Sequence, residues 1–254
     1  TVSAVENETL EPMPAATVTV TATSGERSIS KKLQVSQEAG KEKVVDLSAG
    51  GTSNCYLVTA AGSYSFNATV RGNGATTEGL DAPAAVAGTS AEIVWQSSPN
   101  LITDVTLADG RIGFKIAEPG NALIAVRDGE ILWSWHIWCT NLPADQVYMA
   151  NKYGNSYTFM DRSLGATSAL DDTGSLGMSY QWGRKDPIPG SSKFYDMTEP
   201  TLYGSVTKVS VAASDASTGT IANAIQNPVT FLKAADWLFA GRNNYLWGNP
   251  QGEE

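Results

Sequence analysis

The chain has 254 residues, 42% hydrophobic and 17% charged, a composition that supports folded globular structure and a length sufficient for two domains. Its net charge of −9 at pH 7 comes without the clustered Lys and Arg that phosphate neutralisation requires, so nucleic acid is not an expected partner. No apolar run is long enough to form a transmembrane segment, and the first residues lack the pattern of a signal peptide, so any export signal or lipid anchor is expected upstream of Thr1.

The first forty residues read as β-structure. Val18, Val20 and Ala22 alternate with Thr17, Thr19 and Thr21, the chain turns at 24–26, and a second strand carries Ile29, Leu33 and Val35 in phase. Two strands with one apolar face need further partners. Gly40 among charged neighbours marks a linker over 39–42. From 44 to 140 the turn signals become regular, as in a sandwich, with strands expected over 54–60, 63–70, 91–97, 102–108, 111–117, 122–127 and 130–140. Asp109-Gly110 and Asp128-Gly129 separate alternating runs, a strong hairpin signal, and the last four strands are expected to form a meander. Ile112, Phe114 and Ile116 mark one inward face; Ala122, Ile124 and Val126 mark the next. The Gly- and Thr-rich stretch 72–89 reads as a loop crossing between sheets.

The segment 130–139 holds three of the seven tryptophans, the only histidine and one of the two cysteines. Alternation puts Trp133, Trp135, Ile137 and Cys139 on one face and Leu132, Ser134, His136 and Trp138 on the other, apolar enough for burial on both sides. Each indole, if largely buried, contributes at most about 4 to 6 kcal/mol from area alone. Trp95 is left as the tryptophan of this region expected to reach solvent. Beyond Pro143 alternation weakens, loops lengthen and most of the aromatic residues follow, so a third unit is expected there. Thr220 can cap a short helix over 221–226 that Pro228 stops.

Several segments resemble known families. The pattern 16–22 (ATVTVTA) and 33–39 (LQVSQEA) is similar to the closing hairpin of BACON-type immunoglobulin-like domains of Bacteroidetes surface proteins. Segments 52–58 (TSNCYLV), 62–66 (GSYSF), 120–126 (GNALIAV) and 131–138 (ILWSWHIW) resemble, in the same order, fimbrillin-like proteins of Bacteroides relatives. Segments 157–166 (YTFMDRSLGA), 178–187 (MSYQWGRKDP) and 221–228 (IANAIQNP) resemble the Fibrobacter major paralogous domain. That likeness implies an irregular, C-type-lectin-like α+β fold. In those relatives a motif like Trp247-Gly248 is followed by Cys-Pro and Trp-Arg-Val-Pro segments, which this chain does not contain, so the last strands of this domain are expected to be missing. Together the resemblances imply a mostly β fold: a partial Ig-like sandwich over 1–42, a fimbrillin-like sandwich over 43–140 and an α+β domain over 141–254.

Catalytic chemistry finds little support. A Cys–His arrangement must use His136, but Cys139 lies three residues on and therefore faces the other side of the strand. His136 is expected as a hydrogen-bonded structural imidazole. Cys55 and Cys139 allow one disulfide or two buried thiols. Zinc lacks ligands; Asp161, Asp171 and Asp172 fit no calcium loop and read as turn formers. No cofactor is called for. Carboxylate pairs for glycoside hydrolysis leave no signature.

The cluster Tyr180, Trp182, Arg184 and Asp186 is the candidate binding site, because aromatic faces stack on sugar rings while Arg and Asp pair with hydroxyls. Against that, three of these residues share one face if the segment is a strand, and Arg stacked on Trp is a common packing motif. Tyr153 and Tyr157, among polar loops, complete the candidates, with Trp182 the residue to test. The expected function is non-catalytic adhesion or glycan binding on the cell surface, with a glycan or another surface protein as partner. A stalk or pilus-assembly role without a ligand site is the alternative, and a glycoside hydrolase a remote one.

Overall fold

The computed structural model of the chain describes residues 13–25, 27–37, 43–75, 85–149, 152–190, 200–241 and 243–247. The fold is mostly β, with several sheets and one α-helix among the described residues. The chain divides into two compact units, Thr1–Val44 and Val45–Glu254. In the first, β1 (Met13–Ser24) pairs antiparallel with β2 (Arg27–Gln37) across a turn at Gly25, where the sequence places it. The linker expected at 39–42 lies outside the described residues.

Two four-stranded sheets follow. One has the order β3 (Val44–Asp46), β5 (Gly62–Asn67), β8 (Arg111–Ile116), β7 (Ile102–Ala108); the other has β4 (Cys55–Val58), β10 (Glu130–Cys139), β9 (Gly120–Asp128), β6 (Ser90–Gln96). The apolar positions of the alternating strands meet between them: Phe66, Ile112, Phe114 and Ile116 from one sheet, Ala122, Ile124, Val126 and Trp135 from the other. Phe66 is central, with its ring 5.3 Å from Trp135 and 4.8 Å from Tyr56. The chain leaves β5 in one sheet and enters β6 in the other, so 72–89 does link the sheets.

The expected meander is corrected. The two Asp-Gly hairpins belong to different sheets, β7–β8 to one and β9–β10 to the other, and the chain changes sheet between Ile116 and Gly120. A hairpin signal states only that adjacent strands pair; Pro119, with no N–H to donate, separates the pairs, and closing the sandwich decides which sheet each joins. Asp109 (φ 50°) and Gly110 (φ 72°) both take the left-handed conformation that a two-residue hairpin turn requires.

The Trp-rich strand alternates as expected from Trp133 to Cys139, then breaks phase. Its pairing with β9 slips between Ile131 and Trp133, and this bulge turns Leu132 with Trp133 toward the main core and Ile131 to the opposite face. That opposite face is itself covered. Val94, Trp95, Leu123, Ala125 and Ile131 pack against Leu202 and Val229, which explains why β9 is buried on both sides and reads as a nearly continuous apolar run. Trp95 is therefore fully buried, not the solvent-reaching tryptophan, because the 202–209 segment lies over it. Val206 N–H donates to Val94 O and Ser205 N–H to Ile93 O, and at Gly204 a Cβ would stand 2.6 Å from Val94 O, so this close approach requires glycine.

Residues 141–254, expected as a separate unit, fall in one compact unit with the sandwich. Within them β11 (Asp145–Tyr148) pairs antiparallel with β12 (Tyr157–Met160), and β13 (Ser210–Ala213) pairs parallel with β14 (Thr230–Lys233). The helix α1 (Ile221–Gln226) connects that parallel pair, capped as the sequence indicates by Thr220 Oγ1 accepting from Asn223 N–H at 3.1 Å. Both cysteines are free thiols, since the parallel register sets Cys55 beside His136 and Val58 beside Cys139. No helix among the described residues is long and apolar enough to cross a membrane.

Candidate functional site

The segment 178–186 is a bend, not a strand: Ser179 bridges Ile188, and Arg184 N–H closes a turn onto Gln181 O. Tyr180, Trp182 and Arg184 thus share no strand face, and they separate in role. Arg184 is buried, and its guanidinium donates to Thr230 O (2.5 Å), Gln181 Oε1 (2.8 Å), Pro228 O (3.1 Å), Asn227 O (3.3 Å) and Ala224 O (3.5 Å). Several of these carbonyls lie at the end of α1, so Arg184 closes the helix C-terminus with both of its terminal amino groups engaged. Burial pulls its pKa down, opposed by the charge of Asp186.

Asp186 is buried too, accepting from Ser134 Oγ at 2.8 Å and paired with Lys185 Nζ at 2.5 Å. These two anchor the bend to β10, since Lys185 Nζ also donates to Ser134 O at 3.0 Å. Arg184 and Asp186 are therefore corrected from ligand groups to structural ones. Trp182 is partly exposed at the tip of the turn while its carbonyl accepts from Trp237 Nε1. Tyr180 is half-buried, and burial raises its pKa well above the phenol range.

His136 is the structural imidazole the strand period implies. Asn121 Nδ2 donates to Gly165 O at 2.7 Å, so Asn121 Oδ1 faces His136 Nε2 at 2.9 Å and that nitrogen carries the proton. Nδ1 is left as an acceptor for the Cys55 thiol at 3.3 Å. Sequence reasoning dismissed Cys139 correctly but missed Cys55, which comes beside His136 only through parallel pairing of distant strands. The atoms stand in the order of a Cys-His-Asn catalytic chain, but the protonation does not suit one. Burial pulls His136 down to about 3, and although Cys55 is exposed as a residue, the protein around its sulfur pushes the thiol up to about 12. Both groups are neutral at pH 7, so no thiolate is ready to attack.

The other candidates lie on the β11–β12 ribbon. Direct pairing of Tyr148 with Tyr157 and of Gln146 with Phe159 places these four side chains on one face. Tyr148, Tyr157 and Phe159 are 61%, 50% and 57% exposed, with Tyr148 edge-on to Phe159 at 5.5 Å and Tyr157 tilted to Phe159 at 6.5 Å. In the turn between the strands, Tyr153 is exposed with Lys152 Nζ 4.8 Å from its ring centre. The structure thus brings Tyr157 together with two residues not singled out from sequence, Tyr148 and Phe159. The signal was the two-residue spacing of Tyr157 and Phe159.

Among the described residues no group of His, Cys, Asp and Glu is placed to hold a metal ion. Asp161 is held in a fork by Arg162 at 2.7 and 3.0 Å, which lowers its pKa, and Asp172 accepts from Gly174 N–H at 2.8 Å. Among known proteins, no family model, no curated sequence and no solved structure matches the chain.

Proposed function

We propose that the protein is a non-catalytic, surface-displayed adhesion module of fimbrillin-like character that binds a glycan on its β11–β12 ribbon. Under this reading the two sheets form an Ig-like sandwich, the first hairpin is BACON-like, and residues 141–254 are a C-type-lectin-like elaboration that displays the ribbon. The observation that carries it is the exposure of Tyr148, Tyr157 and Phe159 on one ribbon face. Exposed aromatic rings in contact with one another are uncommon on a surface that has no partner. Their faces suit the C–H faces of sugar rings, while two phenol hydroxyls and the neighbouring Gln146 suit sugar hydroxyls.

A glycan array probed with the intact chain, repeated with Tyr157→Ala and Phe159→Ala, tests the reading. Loss of one stacking ring is expected to weaken binding by about ten- to a hundredfold, by analogy with base stacking, at an unchanged melting temperature. Hits that survive both substitutions overturn the site. An array without hits, from a protein that nevertheless self-assembles, favours the stalk role instead.

A further inference from the structure

Arg111, Arg127 and Arg162 each pair with a carboxylate, and Arg184 has both terminal amino groups held by carbonyls. Arg71 differs from all of them. Its guanidinium sits 5.0 Å from the centre of the Trp133 ring, yet among the described residues it makes no hydrogen bond and no ion pair; its Nε, like that of Arg127, is buried without an acceptor. The site around it is built. Trp133 Nε1 donates to Asn54 Oδ1 at 3.0 Å, and Gly72 N–H donates to the same oxygen at 3.0 Å, so one carboxamide joins the indole to the turn carrying Arg71. Lys185 Nζ lies 4.4 Å from the same ring.

We infer that Arg71, with Trp133 and Lys185, forms a binding site for a carboxylate-bearing ligand. Among the described residues two cations flank one indole and a single carboxylate, Asp186, answers them, which leaves one positive charge in a chain whose net charge is −9. A desolvated donor without an acceptor is costly, and buried polar groups are nearly always satisfied, so the Nε calls for an acceptor from outside. The planar guanidinium fork matches a carboxylate in bidentate geometry, and one unanswered charge matches a monoanion. This site is independent of the ribbon and survives failure of the glycan reading there.

The test titrates the intact chain with sodium glucuronate, sodium acetate, glucose and inorganic phosphate at constant ionic strength, following heat and melting temperature. Glucuronate or acetate is expected to bind and glucose alone is not; a preference for glucuronate identifies an acidic sugar as the source, equal binding a free carboxylate. Arg71→Gln is expected to weaken binding by at least about tenfold, and Arg71→Lys, which keeps the charge and loses the fork, to weaken it with folding intact. Tyr157→Ala is expected to leave it unchanged. Four results overturn the inference: no carboxylate binding, affinity unchanged in Arg71→Gln, phosphate binding as tightly as glucuronate, or loss of the effect in Tyr157→Ala. No binding together with a melting temperature lowered by Arg71→Gln would mean that the chain itself satisfies the guanidinium.

Discussion

Two stretches after residue 141 mix aromatic and charged side chains, the bend at 178–186 and the ribbon formed by β11 and β12, and they reach opposite fates. In the bend, Arg184 and Asp186 are buried, and their charges and that of Lys185 are met by protein partners. In the ribbon the rings touch one another and remain open to solvent. Composition does not separate them. What does is whether the surrounding chain supplies acceptors: the bend lies against β10 and the end of α1, where Ser134 and a group of helix-terminal carbonyls meet its charges, whereas the ribbon strands pair only with each other.

The sharpest way to break this comparison is to remove Arg184. Arg184→Met removes the side-chain donor from four carbonyls and the Gln181 amide oxygen, of which Asn227 O and Gln181 Oε1 keep a backbone donor, and is expected to cost about 3 to 5 kcal/mol in urea unfolding. A loss below about 1 kcal/mol would mean that water satisfies these groups and that the knot is not structural. Trp135→Ala in the sandwich core sets the scale, also at about 3 to 5 kcal/mol, since the ring is fully buried.

Acid probes the buried polar chain on the outer face of the sheet. His136 has a folded pKa near 3 against 6.5 unfolded, so below pH 6.5 the unfolded state takes up a proton that the folded state refuses. Stability is therefore expected to fall by about 1.4 kcal/mol per pH unit between 6.5 and 3, and to be indifferent to this group above 6.5. Chemical denaturation of the native chain and His136→Gln at pH 7 and pH 5 checks it: the variant should lose the slope due to one proton. Equal slopes would mean that His136 is protonated in the fold.

The smallest expected effect lies on the ribbon. Phe159→Ser is expected to change stability by no more than about 0.5 kcal/mol, because its ring is already hydrated, while lowering the binding of a hydrophobic dye. A fall of several kcal/mol would show that the ribbon face is packed in solution, and the contrast with the bend would disappear.

Much of the sandwich was legible from local pattern. Period-two alternation located the strands from 54 to 140, the Asp-Gly pairs located both hairpins, and Thr220 with Pro228 bracketed α1. These signals lie within a few residues of one another, and steric and hydrogen-bonding preferences act at that range. The burial of Trp135 and Trp138 and the hydrogen-bonded state of His136 followed from the same pattern, because a strand apolar on both faces needs cover on both. The ribbon was half seen, through Tyr157.

Within 54–140 the sequence by itself determined which segments are strands, where the hairpins turn and, apart from the bulge at Ile131, which faces of them are apolar. Only the tertiary structure decided that the two hairpins join different sheets, that β4 lies parallel to β10 and so sets Cys55 beside His136, that 202–209 covers Trp95, and that the chain meets the Arg184 guanidinium with carbonyls while that of Arg71 lies over an indole. The reason is the range of the forces. Backbone preference and side-chain alternation are properties of neighbouring residues, whereas burying both faces of a sheet and satisfying a buried charge depend on partners brought from tens of residues away.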